Sequence, residues 1–278
     1  MNKAEGLLFG YTTLFIWLIP LGIGLLVEKL AAAIKNPPQN KSGGDAGMLN
    51  LVNGLIITTI SFVVTPLVST FSAMLTHHLW SGLINIQPAI HNKILSQACA
   101  ILMIAFVYDF FYYWWHRAEH RFLPLWHIHA VHHSDQHMNA STYIRKNWLE
   151  LVLRPIVVSI PVAMLFKLPA ANFFLASLFM ASWGTFGHLN IRLNMGWLTP
   201  VIGAPQYHRI HHSIERKHQD KNFAQYFPLF DILFSTYHRP EKDEYPETGL
   251  YSGEKHDTLT DMLLDPIIKL CRRHSKSQ

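Results

Sequence analysis

Long apolar runs alternate with short polar links along most of the chain. The first two runs extend from Leu7 to Ala33 and from Met48 to Leu75, and a third extends from Ile94 to Trp115. Each contains about the 20 residues that a helix needs to cross a bilayer. Proline interrupts the first two runs at Pro20 and Pro66, and membrane helices tolerate proline there. The pattern predicts three spanning helices before the middle of the chain.

Two shorter apolar stretches follow, from Trp148 to Phe166 and from Pro169 to Gly187. The short link between them predicts a hairpin of antiparallel helices, which returns the chain to the side of the membrane that it left. The predicted fold class is therefore all-α: a polytopic membrane protein with about four to five transmembrane helices. We expect residues 1–278 to form one membrane-embedded domain. Residues 241–278 form a polar C-terminal tail with a short amphipathic run, Leu259 to Leu270.

Composition supports a membrane protein. Half of the residues are hydrophobic and 15% are charged, whereas soluble domains contain about 25% charged residues. The net charge of +5 is small, and the basic residues flank the apolar runs, which argues against nucleic-acid binding. Most of them fall on one predicted side of the membrane, which the positive-inside rule places in the cytoplasm. Cys99 and Cys271 are the only cysteines, so a disulfide framework and a cysteine-rich zinc site are excluded.

Histidines concentrate in the polar segments beside the apolar runs. Three groups among the 18 histidines repeat a helical spacing: His116 and His120; His129, His132 and His133; His208, His211 and His212. Residues three or four apart lie on one face of a helix, so we expect each group, if helical, to direct two or three imidazoles to one point. Eight convergent imidazoles exceed the about four ligands that one zinc ion takes. The spacing predicts a site for two metal ions on one face of the membrane, and imidazole suits iron, zinc, copper or nickel.

Further polar residues accompany these groups. His188 follows the predicted hairpin, which delivers it beside the three groups as a ninth candidate ligand, with an interfacial histidine as the alternative. Asp109 lies about two helical turns before His116 and so on the same helix face. We expect its carboxylate to hold a histidine tautomer, with a hydrogen bond to a neighbouring helix as the alternative. Three later residues are candidates either to orient ligands or to cap helices: Asp220, Asn222 and Asp231.

Other histidines fall off the repeated spacing. We interpret two of them as surface or ligand-orienting residues and two as minor ligand candidates: His127 and His137, then His218 and His238. A weakly polar link from Thr76 to Lys93 is interpreted as an interfacial segment with Trp80 at the headgroup level. It contains three more histidines: His77, His78 and His91.

Two other functions are open at this point. The segment from His116 to His120 matches the inverted zinc-protease motif H-x-x-E-H, in which Glu119 would act as a general base; otherwise Glu119 faces solvent or orients a ligand. A membrane metal transporter or metal-binding protein is the second alternative. Transport favours ligands inside broken membrane helices, whereas these histidines follow the apolar runs.

The order of the histidine groups resembles the fatty acid hydroxylase/sterol desaturase superfamily of membrane di-iron enzymes. Flanking residues carry the resemblance over roughly Ile101 to Pro240. They comprise Asp109, Tyr113, Trp114 and Arg117 around the first group; Ser134, Asn139, Thr142 and Arg145 after the second; Phe186-x-His188-x-Asn190; and Ser213, Asp220-x-Asn222-Phe223 and Asp231-x-Leu233-Phe234-x-Thr236-Tyr237 after the third. The departures are Phe230, Ala224 and Ser235, which stand where Trp, Gly and Gly are expected.

The resemblance implies an O2-dependent, non-haem di-iron oxidoreductase that hydroxylates or desaturates a lipid C–H bond. The lipid would be a fatty acyl chain, sphingolipid, sterol or ether lipid taken from the bilayer. It implies a core at residues 101–240 in which the nine histidines hold two iron ions, or zinc in purified protein. It also implies that six residues support these ligands: Asp109, Asn139, Arg145, Asp220, Asn222 and Asp231.

The chain has no motif for its own electron source. Nucleotide, haem and iron–sulfur signatures are absent from the sequence. We therefore expect an external donor, a ferredoxin or b-type cytochrome with an NAD(P)H-dependent reductase. Four basic residues form a candidate docking surface for an acidic donor, with ordinary membrane-flanking charge as the alternative: Arg209, Arg216, Lys217 and Lys221.

Overall fold

The computed structural model describes residues 3–34, 36, 44–79, 84–85, 92–167 and 170–274. The α-helices in these ranges are α1 (Lys3–Ala33), α2 (Gly44–Leu79), α3 (Lys93–Arg121), α4 (Leu123–His133), α5 (Glu150–Arg154), α6 (Ile160–Leu165), α7 (Ala170–Gly187), α8 (Pro205–His211), α9 (Leu229–Leu233) and α10 (Leu259–His274). A π-helical turn, Pro155–Ser159, joins α5 to α6. Three 3₁₀ turns lie at Ala140–Ile144, Gly196–Leu198 and Arg216–His218.

The described ranges contain two short strands, and Ser213 and Thr248 form an isolated antiparallel bridge. The strands are β1 (Ile84–Asn85) and β2 (Phe166–Lys167), which pair in parallel with Ile84 opposite Phe166. β1 follows α2 and β2 directly follows α6, so this pairing joins the C-terminal ends of these two helices. The predicted all-α class is confirmed.

Three described helices are long and apolar enough to cross a membrane. The qualifying segments are Ile16–Ala33 in α1, Gly47–Val68 in α2 and Lys93–Arg121, the whole of α3. The 18 residues of α7 extend for about 27 Å at about 1.5 Å per residue, slightly less than the roughly 30 Å hydrocarbon core. The first stretch of the predicted hairpin, Trp148 to Phe166, does not form one continuous α-helix, because the π-helical turn divides it. Three of the predicted four to five spans therefore correspond to described helices that could cross a membrane, and the number of spans stays a prediction.

Helices α1, α3 and α7 position the segments that carry the histidines. α1 packs along α7, and α3 packs against both α4 and α7. Gly24 permits the close approach of α1, because a Cβ atom there would lie 3.0 Å from side-chain atoms of both Ala140 and Thr185. Trp17 and Leu21 of α1 complete a buried apolar cluster with residues next to His188. The packing fixes the end of α7 from which His188 emerges.

A half-buried carboxylate of α1 ties two polar segments to the membrane helices. Glu28 Oε1 accepts the backbone N–H groups of Ala140, at 2.8 Å, and Asn190, at 2.6 Å. Ala140 begins the 3₁₀ turn after α4, and Asn190 follows His188. Glu28 thereby holds the segments after the second histidine group and after His188 at one end of α1.

The C-terminal tail folds back onto the same region. Its amphipathic run is confirmed as part of α10, which packs against α4 and α2. Asn147 donates to the backbone carbonyl of Met262 at 2.6 Å. The side chains of His77, His78, Trp80 and His91 lie outside the described residues, so their interfacial position stays a prediction.

Candidate metal centre

Four segments bring the nine predicted ligands together. They are the end of α3, the helix α4, the residue after α7, and α8 with the residue that follows it. The ligand atoms form two groups, and those of each group lie within 4.8 Å of one another. The first group consists of His116, His120, His129, His133 and His211. The second group consists of His132, His188, His208 and His212.

The repeated H-x2-H-H spacing serves both groups at once. In α4, His129 and His133 lie four residues apart and belong to the first group, while His132 points to the second. In α8 the assignment is reversed, because His208 belongs to the second group with His212. Each triplet therefore sends two imidazoles to one group and the third to the other, a division that the spacing alone did not predict. Two helices that face each other each contribute to both groups, which places the groups side by side.

Backbone carbonyls set the tautomer of four of the rings. The Nδ1 atoms of these histidines lie 2.6 to 3.1 Å from main-chain oxygens: His116 from Phe223, His211 from Lys221, His132 from Arg145, and His188 from Gly184. A carbonyl oxygen only accepts a hydrogen bond, so Nδ1 must carry the proton. In the neutral ring, Nε2 then presents a lone pair.

These lone pairs converge on one another. His132 Nε2 lies 3.1 Å from His188 Nε2, and His116 Nε2 lies 3.0 Å from His129 Nε2. His211 Nε2 is buried and has no hydrogen-bond partner among the described residues. Leaving a buried polar atom unpaired costs about 1–3 kcal/mol, and a metal cation among these nitrogens would satisfy all of them. The residues present therefore fit a centre that binds metal ions.

Burial keeps the rings neutral. It lowers the pKa of His188 to about 3. It lowers the pKa of five more rings well below the usual range, and neighbouring imidazoles lower it further: His132, His133, His208, His211 and His212. Because a metal binds the neutral ring and competes with protons, these rings are prepared to bind metal at physiological pH.

Two buried carboxylates lie behind His129. Glu150 Oε1 is 3.4 Å and Glu119 Oε2 is 3.5 Å from its Nδ1 atom. A carboxylate in this position orients the ring as a ligand. Glu119 therefore orients a ligand, and the alternative that it faces solvent is wrong. Glu150 was not predicted from the sequence, where its only signal is an acidic residue at the start of an apolar stretch.

Asp109 supports a loop instead of a histidine ring. Its carboxylate accepts the backbone N–H groups of Gln225, Tyr226 and Phe227 at 2.9, 3.1 and 2.7 Å. This hydrogen bonding differs from the expected role in holding a histidine tautomer. The sequence showed only that Asp109 shares a helix face with His116, because its actual partners lie more than 100 residues later in the chain.

Asp231 acts on the first group through one peptide unit. Its carboxylate accepts the N–H groups of Phe223 and Ala224, each at 2.8 Å, and the hydroxyls of Thr236 and Tyr207. The carbonyl of the same Phe223 accepts Nδ1 of His116. Asp231 therefore orients a ligand indirectly, as one of the two alternatives predicted.

The amide of Asn222 fastens the adjoining loop. It donates to the carbonyls of Tyr207 and His238, each at 3.0 Å. Asp220 is exposed, and its carboxylate lies 3.7 Å from Nδ1 of His120, which is longer than a hydrogen bond. Asn139 caps the 3₁₀ turn Ala140–Ile144 and has no hydrogen bond to a ring of the two groups.

Arg145 is buried and connects α4 with α2 and the tail. Its guanidinium donates to the carbonyls of Val131 and His256 at 2.9 and 2.6 Å, and to the side chain of Asn50 at 3.0 Å. Its own carbonyl accepts Nδ1 of His132. Arg145 thus fixes both the end of α4 and one ligand tautomer.

Backbone geometry explains why glycine is expected at one of the three departures. Ser235 has a φ of 62°, in the left-handed region that glycine adopts without strain. Phe230, which stands in place of Trp, is buried against Tyr113 and Phe223. Ala224 is also buried in this cluster, with its N–H donated to Asp231.

Residues 101–236 match the family model described as fatty acid hydroxylase. The chain carries a fatty acid hydroxylase domain. All nine histidines of the two groups lie inside it. No solved structure matches the chain.

Curated relatives of the fatty acid hydroxylase domain include lipid-oxidising enzymes. Alkylglycerol monooxygenase of Caenorhabditis elegans is 31% identical over 54% of this chain, and that of Homo sapiens is 32% identical over 46%. Ornithine lipid hydroxylase OlsE of Rhizobium tropici is 27% identical over 51%. The matched segments span 29%, 28% and 43% of the length of these relatives, so more than half of each relative lies outside the alignment.

Proposed function

We propose that the protein is a membrane-bound, O2-dependent, non-haem di-iron monooxygenase that hydroxylates or desaturates a lipid C–H bond. The observation that carries the proposal is the pair of adjacent histidine groups with converging Nε2 lone pairs. The fatty acid hydroxylase domain and the names of its relatives support a lipid substrate and a monooxygenase reaction.

The chain supplies ligands and their orientation. Nine imidazoles would hold two iron ions, which when bound would use O2 and two electrons to oxidise an unactivated C–H bond. The carbonyls of Phe223, Lys221, Arg145 and Gly184 keep the proton of their histidines on Nδ1. Burial of the rings keeps bulk water away from the centre. The carboxylates of Glu119 and Glu150 orient the His129 ring through its Nδ1 atom.

A lipid substrate would reach the centre from the bilayer. Apolar side chains remain exposed on α3 and α9 beside the first histidine group, including Phe110, Trp114 and Leu233. The ring of Trp114 lies 4.7 Å from that of Phe234, the residue after α9, so α3 packs against the end of α9. The proposed orientation places the histidine groups at the cytoplasmic face, where most basic residues of the chain fall.

Electrons would come from an acidic donor protein. Of the four basic residues of the candidate docking surface, Arg216 and Lys217 are exposed. Arg209 is not available, since it donates to the carbonyl of Pro246 at 2.8 Å and lies 3.9 Å above the ring of Tyr245. The proposed surface therefore centres on Arg216 and Lys217, with Lys221 at its edge.

The two alternatives agree less well with the geometry. Glu119 faces Nδ1 of His129, on the side of the ring away from Nε2, and a hydrolase would need it beside the metal-bound water. A transporter would place its ligands in interruptions of membrane helices. Here they lie at the end of α3 and in helices that follow the described candidate spans.

The test combines metal analysis with lipid oxidation. The purified chain is loaded with ferrous iron without oxygen, and then receives a chemical reductant, labelled O2 and vesicles containing an alkylglycerol, an ornithine lipid, a phospholipid or a sterol. We expect about two irons per chain and a product with one labelled oxygen atom, or an unlabelled product that has lost two hydrogens. Intact iron loading without oxidation of any lipid in the panel would contradict the proposal.

A further inference from the structure

A third group of ligand-type side chains lies outside the nine histidines. It consists of His218, His238 and Glu244, whose ligand atoms fall within 4.8 Å of one another. His218 Nε2 is 3.0 Å from Oε1 of Glu244, and His238 Nε2 is 3.2 Å from Oε2. We propose that these three residues bind one divalent zinc-type cation, at a site separate from the histidine centre.

The donor set suits zinc. Two imidazoles and one carboxylate are three of the four ligands of a tetrahedral zinc ion, and water takes the fourth position. Ligand atoms about 2.1 Å from a tetrahedral ion lie roughly 3.4 Å apart, and the observed separations need little adjustment to reach this value. His218 is fully buried, whereas 27% of the His238 side chain is exposed. The site therefore combines a fixed inner ligand with a solvent-facing edge through which an ion can enter.

Ser213 orients the inner ligand. Its hydroxyl oxygen lies 2.8 Å from Nδ1 of His218, and it accepts the backbone N–H of Glu215 at 3.0 Å. A hydrogen bond at the non-ligating nitrogen is typical of histidines that bind metal. It directs Nε2 of His218 towards Glu244, and the His238 ring packs edge-on at 4.8 Å between centroids.

The side chain of Lys217 now contacts the same carboxylate. Its ammonium lies 2.8 Å from Oε1 of Glu244, and 60% of the side chain is exposed. A flexible, exposed ammonium can leave without opening the fold, so it competes with the cation and does not block it. If the three residues bind zinc, removal of this ammonium should therefore tighten zinc binding. If they only form hydrogen bonds with one another, its removal would create no affinity for zinc.

A bound ion would stabilise the loop that follows α8. The backbone N–H of His238 donates to the side-chain oxygen of Asn222 at 2.8 Å. The neighbouring carbonyl of Lys221 accepts a hydrogen bond from Nδ1 of His211. The cation would join this segment to His218 and Glu244 on its other side. Its role would be to hold the loop that orients a ligand of the first histidine group.

The experiment counts zinc on the full-length protein in detergent. Metal-free protein is incubated with zinc alone and washed, and bound zinc per chain is measured for the wild type and for Glu244→Gln, His238→Asn and Lys217→Met. We expect about three ions in the wild type and in Lys217→Met, and about two in the other two variants. Zinc affinity of the third site should fall at least 10–100-fold in Glu244→Gln, the range found for lost ligand partners, and should rise in Lys217→Met.

Glu247→Gln is the matched control, since it removes a nearby exposed carboxylate that is not part of the group, and it should keep the wild-type zinc count. Equal zinc counts in the wild type and Glu244→Gln, with unchanged affinity in Lys217→Met, would overturn the proposal. Lys217→Met removes no buried contact, so its result stands even if another variant misfolds. Zinc counting is independent of lipid oxidation, so failure of the third site and failure of the proposed oxygenase give different results.

Discussion

His132 and His188 face each other through their Nε2 atoms at 3.1 Å, although each ring donates its Nδ1 proton to a backbone carbonyl. Two lone pairs at this distance repel unless a cation lies between or beside them. Arg145 and Gly184 are both buried, so the rings cannot exchange tautomers without losing a buried hydrogen bond to one of their carbonyls. The protein thus fixes an arrangement that is unfavourable without metal and favourable with it.

Replacement of His188 tests the division into two groups. His188→Ala removes one of the four donors of the second group and leaves the five donors of the first intact. We expect bound iron to fall from about two to about one per chain, with loss of lipid oxidation. Metal analysis of anaerobically loaded protein measures the count, and His137→Ala, at an exposed histidine outside both groups, is the control. Loss of both ions, or of neither, would contradict independent groups.

The metal-free protein should lose stability in mild acid. In the folded chain burial lowers the pKa of His188 to about 3, whereas an unfolded histidine titrates near about 6.5. As pH falls below about 6.5 the unfolded chain binds protons that the folded chain does not, so the free energy of unfolding decreases towards pH 3 and is unaffected above about 7. Thermal unfolding of metal-free protein in detergent across this range measures the effect. A His188→Asn variant should show a weaker pH dependence, and an equal one would contradict the assignment.

Asp231→Asn should weaken both the fold and the first histidine group. The change replaces a carboxylate that accepts two backbone N–H groups and two hydroxyls with an amide that can present only one oxygen. We expect a loss of about 2–4 kcal/mol in the free energy of unfolding, because charge-assisted hydrogen bonds contribute about 1.5–3 kcal/mol each and buried donors are left unpaired. The measurement is a denaturation curve of metal-free protein. Asp243→Asn, at an exposed carboxylate, should change stability little.

The same substitution should reduce iron binding, because the Phe223 carbonyl that orients His116 loses its support. A variant that is as stable as the wild type and binds the same amount of iron would show that Asp231 does not position this peptide.

The sequence predicted eight of the nine histidines because their spacing is local: three or four residues place side chains on one helix face whatever the rest of the fold does. His188 was predicted from the hairpin that precedes it. It did not predict how α4 and α8 divide their histidines between two groups, because that depends on how the two helices face each other. The partners of Asp109 and the contact of Glu150 with His129 were missed for a similar reason. The partners of Asp109 are backbone amides, which carry no sequence signal and lie more than 100 residues later in the chain. The contact between Glu150 and the His129 ring joins side chains 21 residues apart and depends on how the chain folds between them.

Ser235→Gly should stabilise the protein. Ser235 adopts a φ of 62°, and a non-glycine residue in the left-handed region is strained by about 1–2 kcal/mol. Glycine removes this strain but increases the conformational freedom of the unfolded chain by up to about 1 kcal/mol, so we expect a net gain of roughly 0.5–1 kcal/mol. Thermal unfolding in detergent measures it. Ser252→Gly is the matched control, since Ser252 is exposed and is not among the residues with positive φ. The control should lose stability, and a loss at Ser235 as well would show that the left-handed backbone there is not a source of strain.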